Sequence, residues 1–112
     1  MTVAPLGLFG PAQLANAVAT IYTAPANSRI VLTRTVFTNV SAATRTITVH
    51  VVRSGNTAVS GNILVDAKPV SVDESWVCNE LAGMVLGAGD FIAAFADSAT
   101  SVNYIGSGYQ SQ

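Results

Sequence analysis

The chain has 112 residues, half of them apolar and only 10% of them charged, with five basic and six acidic side chains and a formal net charge of −1. That balance excludes a basic stripe of the kind that neutralises nucleic-acid phosphates or anionic lipid, because Arg29, Arg34, Arg45, Arg53 and Lys68 are scattered. A folded monomer of this mass would expose roughly 5,800 Å², or about 500 Å² for each charge, which is the surface of a component covered by copies of itself or by a partner.

The opening MTVAPLGLFGPAQLANAVATIYTAPANS carries no charge before Arg29. It lacks the basic start of a secretory signal and is interrupted by Pro5, Gly7, Gly10 and Pro11, so the product is expected to be made in the cytoplasm without a signal peptide. The same four residues are expected to prevent a regular element. Residues 1–19 are therefore read as an extended N-terminal arm, with Leu6, Leu8, Phe9 and Leu14 as apolar anchors that dock on a neighbouring copy or another partner rather than in the chain's own core. The helical pattern in PAQLANAVAT (11–20) is too short and uncapped to carry weight. No run approaches the ~20 apolar residues of a membrane-spanning helix.

Residues 20–112 read as one domain. RIVLTRTVFT (29–38) is dense in β-branched residues and ends at Asn39, whose side chain suits a turn. TRTITVHVVR (44–53) alternates cleanly, which places Ile47, Val49 and Val51 on a buried face and Thr46, Thr48, His50 and Val52 on the other. Turn clusters SGN at 54–56 and 60–62 precede a strand in NILVDA (62–67). Pro69 assigns KPVSVDE (68–74) to a sheet edge or a connection, with Asp73 and Glu74 in water. SWVCNE (75–80) follows as a short strand with Trp76 and Cys78 on one face. The turn GAGD (87–90), between apolar runs at 84–86 and 91–96, reads as a hairpin. SVNYIGSG (101–108) supplies a closing strand through Val102, Tyr104 and Ile105. Seven or eight short strands with hardly any helix define an all-β, single-domain β-sandwich, jelly-roll-like. No repeat of fixed period points to a propeller or solenoid.

The residue inventory offers little chemistry. His50, the one histidine, stands mid-strand on a Thr-lined face and is read as a solvent-facing or interface residue rather than a general base. Asp73, Glu74 and Glu80 form the only acidic cluster, and adjacent strand residues point to opposite faces, so they do not converge as acid and base. The alternating loop of a calcium site is absent, and zinc has no Cys/His set. Cys78 permits no internal disulfide and reads as a small core residue. The glycines of GLFG, GAGD and GSGY are turn glycines, since none leads a strand into a phosphate-binding helix. Tyr22, Trp76, Tyr104 and Tyr109 are read as core and interface anchors rather than a sugar platform. The expectation is a non-enzymatic protein with no catalytic group, cofactor or metal.

Three segments, YTAPANSR (22–29), FTNVSAATRTITVHVVRSGN (37–56) and ELAGMVLGAGDFIAAFADSATSVNYIGSG (80–108), resemble a group of small virion-associated proteins of tailed bacteriophages. The likeness spans residues 22–108. It implies a compact all-β unit that assembles as a homo-oligomer, dimer or trimer, on the particle as capsid cement or decoration, or in the tail and its fibres. It supplies no catalytic residues. The reading it favours is a cement protein on the capsid exterior that contacts itself and the major capsid protein, with no nucleic-acid or membrane partner. The rivals are a tail or tail-fibre component and, from another class, a carbohydrate-binding module; a small hydrolase is disfavoured by the inventory.

Overall fold

Alternating apolar segments divided by turn residues build nine strands in the computed structural model, which describes residues 3–111, with side chains from Gly7 onward. They are β1 (Val3–Gln13), β2 (Ala19–Thr23), β3 (Arg29–Asn39), β4 (Arg45–Val52), β5 (Ile63–Val70), β6 (Ser75–Val77), β7 (Val85–Leu86), β8 (Phe91–Ala96) and β9 (Val102–Ser111). A single 3-10 turn, Ser60–Asn62, precedes β5. The first sheet runs β1-β9-β3-β6, with β7 also on β3, and the second runs β2-β8-β4-β5. Every pairing is antiparallel.

β6 and β7 lie along the same edge of β3, and the loop between them continues the ladder. The Cys78 amide donates to the Thr35 carbonyl and the Leu32 amide donates to the Met84 carbonyl, each at 2.9 Å. Taken together they act as one interrupted strand, which leaves four strands in each sheet and a chain that repeatedly crosses between sheets. That is the jelly-roll form of the β-sandwich read from the sequence.

The opening segment departs from its expectation as an arm. Residues 3–13 form β1, an edge strand paired along β9 from Val3 opposite Ser111 to Gln13 opposite Asn103. Proline is tolerated because an edge strand has one neighbour only, so its missing N–H can fall on the open side. Pro11 falls where the register shifts between Phe9 and Ala12, after Gly10 at φ +75°. A side chain at Gly10 would collide with the Tyr104 carbonyl, so the shift needs glycine for its dihedral and for its size.

Two further bulges set which residues face inward. On β3 the pairing with β9 shifts between Leu32 and Arg34. Ile30 and Leu32 are buried before the shift and Thr35, Phe37 and Asn39 after it, so the inward phase moves by one residue and Thr33 and Arg34 are both exposed. On β5, Asp66 and Ala67 together oppose Thr48, and Ala67 takes φ +51°. The amide thereby freed donates to Thr48 Oγ1 at 3.1 Å, so the bulge leaves no orphan donor. Pro69 sits in β5, on the edge of the second sheet, as its missing donor requires.

The core lies between the sheets and includes Phe9, Leu14, Ile30, Leu32, Phe37, Ile47, Val49, Leu81, Leu86, Ile92 and Val102. Aromatic rings thread it: Phe9 stacks on Tyr22 at 5.3 Å and Phe37 on Trp76 at 5.5 Å between centroids. Ile47 and Val49 face this core as expected, while Val51 is half-buried. The opposite face of β4 differs from its expectation, because Thr48, His50 and Val52 are buried as well. β4 is an inner strand between β8 and β5, and the connection to β5 closes over its outer side through Asn62.

The GAGD turn forms, with the Asp90 amide donating to the Gly87 carbonyl at 3.0 Å, but it does not close a hairpin. β7 belongs to the first sheet and β8 to the second, so the turn carries the chain across the sandwich. Short-range turn chemistry is the same in both cases; only the partners of the flanking strands distinguish them.

Candidate assembly surface

The strands of the first sheet contain Arg29 and Arg34 and not one Asp or Glu. Their outward residues form cross-strand rows. Val85 lies opposite Val31, which lies opposite Tyr109, and Val77 lies opposite Val36, which lies opposite Ile105. Cross-strand pairs of this kind bring side chains to within about 5 Å, so the six make two apolar rows, with Thr33, Arg34 and Ser107 between them. Ile105 is 48% exposed, and Val85 and Tyr109 are each 44% exposed. Beside them the exposed Arg34 rims a hollow of about 250 Å³ lined also by Gly7, Gly10, Val36, Ile105 and Ser107. A side chain at Gly7 would meet nothing within 4 Å, so this glycine leaves the hollow open.

Of the four anchors expected in the opening segment, the three whose side chains are described pack on or in the chain's own core. Phe9 is 7% exposed and Leu14 is 2% exposed, both inside the chain's own core. Leu8 is half-buried against that core. The Leu6 side chain lies outside the described residues. Phe9 can enter because residue 106 is glycine, whose absent Cβ would overlap the Phe9 ring. The described anchors therefore pack inward, and the apolar surface left open comes from β3, β6, β7 and β9. A signal was present in the sequence. The two successive polar residues Thr33 and Arg34 interrupt the alternation of β3, and counting across that interruption turns Val36 outward.

The remaining candidate groups are structural. Asn62 Nδ2 donates to the Thr57 carbonyl at 2.8 Å, which orients Oδ1 toward His50 Nδ1, also at 2.8 Å, and toward the Val59 amide at 3.0 Å. His50 Nδ1 is thus the donor and the ring anchors the β4–β5 loop. This corrects its reading as a solvent-facing or interface residue. The same loop borders a second hollow of about 330 Å³, of whose lining Asn62 is engaged in holding the loop and Arg53 in pairing with Asp90. Burial pushes the Cys78 thiol up to about 11, so it stays protonated and inert. Asp73, Glu74 and Glu80 are all exposed. Among the described residues no group of His, Cys, Asp and Glu gathers as a metal site, and no helix is long and apolar enough to cross a membrane.

The acid that is held in place is Asp90, which the sequence reading did not single out. Its carboxylate accepts from the Ser54 and Gly87 amides and from Arg53 Nη1, each at 2.9 Å. Burial alone would raise its pKa; the Ser54 amide, the Arg53 guanidinium and the Gly87 amide outweigh that and hold it below the ordinary carboxylate range.

No family model matches the sequence, and no curated protein matches it either. In fold, the chain is similar to a chain in the structure of infectious bursal disease virus, Gx strain, with a TM-score of 0.55 and 11% identity. The match covers 97% of this chain and 32% of that one, so the present chain spans about a third of the neighbour's length. A chain of the Gt strain of the same virus gives a TM-score of 0.44, again at 11% identity, over 97% of this chain and 30% of that one. These neighbours come from infectious bursal disease virus rather than from a tailed bacteriophage, and at that identity the likeness concerns the fold.

Proposed function

We propose that this chain is a non-enzymatic structural protein of a virion, and specifically a cement or decoration protein on the capsid exterior of a tailed bacteriophage. The observation that carries this reading is the outer face of the first sheet: apolar, bordered by arginine, free of carboxylates, and uncovered by the chain itself. Isolated soluble proteins seldom leave such a face open, whereas a subunit that must adhere to its neighbours requires one. The jelly-roll fold shared with a chain of a virus structure and the resemblance of three segments to tailed-phage virion proteins support the same reading.

The mechanism is adhesion. Each copy lays its apolar face against a neighbouring subunit on the particle, and a contact burying more than about 1,000 Å² in total is enough for specific attachment. Copies that bind only the assembled shell stabilise it by mass action. His50 serves as a loop anchor and Cys78 as a core residue, which supports the non-enzymatic reading.

Quantitative mass spectrometry of purified virions from the source of this sequence tests the proposal. A copy number comparable with that of the major shell subunit is the expected result. A few copies per particle would replace the cement reading by a tail component, and absence from the particle would overturn the virion reading.

A further inference from the structure

All the carboxylates lie off the first sheet. Asp90 is paired with Arg53, and the exposed acids are Asp66, Asp73, Glu74, Glu80 and Asp97. Of these, Asp73 alone sits beside a large exposed aliphatic side chain. Val72, 43% exposed, and Asp73 occupy the two central positions of the turn linking β5 to β6, closed by the Glu74 amide donating to the Ser71 carbonyl at 3.1 Å. The turn is braced from inside, since Glu74 Oε1 accepts from the Ser71 amide at 3.1 Å. Asp73 has no partner among the described residues. The exposed Val40 stands at the same end of the sandwich, because the Asn39 amide donates to the Glu74 carbonyl. This end therefore presents two valines and a carboxylate on a rigid turn.

The face of the first sheet presents the complement: a hollow of about 250 Å³ rimmed by Ile105 and Arg34. From this charge complementarity we infer that the occupant of the face is a second copy of this chain, whose Val72 enters the hollow while its Asp73 pairs with Arg34. The contact is heterologous, with turn on one copy and sheet face on the next. A twofold stack of face on face is disfavoured, because it would set arginines against arginines on a surface with no carboxylate. A heterologous contact leaves one free turn and one free face at the ends of any assembly, so it propagates into rings or rows. This inference rests on the face being an assembly surface, as proposed above, and specifies what covers it.

The test is sedimentation velocity on the full chain over a concentration series. Arg34→Asp and Asp73→Asn should each weaken self-association by about ten-fold or more. Asp73 lies at φ +61°, and asparagine at 73 retains this turn, since Asn tolerates that region well. Combining Arg34→Asp with Asp73→Lys in one chain should restore association, which a misfolded variant would not do, and circular dichroism of each variant should match the parent. A wild-type chain that stays monomeric, or single variants that associate as the parent does, would overturn the inference. Virion attachment is read separately: a monomeric chain found abundantly on particles would leave the proposed function standing and give the face to a shell subunit. A charge-swapped pair that rescues association in a chain absent from virions would leave self-docking standing and remove the virion reading.

Discussion

The two ends of the sandwich are locked by single polar side chains of different chemistry. At the end where β3 passes to β4, Asn39 has none of its surface exposed. Its Nδ2 donates to the Ala43 carbonyl at 2.8 Å and, across the sandwich, to the Val70 carbonyl at 2.9 Å. Its Oδ1 accepts from the amide and the hydroxyl of Ser41. At the other end Asp90 ties the turn before β8 to the residues after β4. A neutral amide holds one end by matching donors and acceptors, and a carboxylate holds the other by charge-assisted acceptance alone. The first lock is indifferent to acid; the second is not.

Breaking the amide lock should have the largest effect. Asn39→Ala leaves the buried Val70 carbonyl and the Ser41 amide short of a partner, while the Ala43 carbonyl keeps the Ser41 hydroxyl, a loss of about 2–4 kcal/mol by urea denaturation. The deficit should be the same at pH 4 and pH 7, because nothing in that lock titrates.

Asp90→Asn should cost about 1–3 kcal/mol at neutral pH, since an amide turns one donor against groups that are themselves donors. Its pH dependence sharpens the contrast. The folded carboxyl titrates below its unfolded value of about 3.9, so its contribution is complete above that value and disappears as pH falls through the lower folded one. The gap between parent and variant should hold steady from neutral pH down to about 5 and narrow below about 4. A gap that widened on acidification would contradict the assigned lock.

Between the two ends, β3 carries a flaw that neither lock shares. Thr35 is fully buried, and its hydroxyl has no hydrogen-bond partner among the described residues. Thr35→Val keeps the shape and removes the unpartnered group, and should raise stability by up to about 1 kcal/mol, read as an increase in Tm. Arg53→Met should matter least. The guanidinium is 58% exposed while Asp90 is 13% exposed, so solvent screens the pair and the two backbone amides remain to hold the carboxylate. A loss of about 0.5 kcal/mol, reduced further in high salt, is expected.

Much of this architecture was legible in the residues. The β-branched runs ending at Asn39 and the alternation of Ile47, Val49 and Val51 located β3 and β4, and Pro69 marked an edge strand. The outer face of β4 was not legible, since Thr48 and His50 look solvent-facing in an alternating pattern; the loop that covers them is distant in character though near in sequence. Asp90 was read within a hairpin, and no local feature says that Arg53 and the Ser54 amide converge on it. Of the proposed assembly face, Ile105 and Tyr109 were visible as candidate strand and anchor residues, but their union with Val31, Val36, Val77 and Val85 depends on register.

The amino-acid sequence by itself determined the all-β class and the scarcity of charge, while the pairing of the strands gathered those without carboxylates into one sheet. Class and charge are properties of composition and of period-2 spacing, which operate over a few residues. Tertiary structure alone decided that the opening segment is a strand rather than an arm, because an edge position next to β9 makes Pro5 and Pro11 admissible and Gly106 makes room for Phe9. Which side of β3 faces outward is signalled in the sequence by the polar pair Thr33 and Arg34 but fixed by strand pairing. One extra residue between Leu32 and Arg34 reverses every side chain beyond it, and the place of that residue is set by pairing with β9, a strand far along the chain.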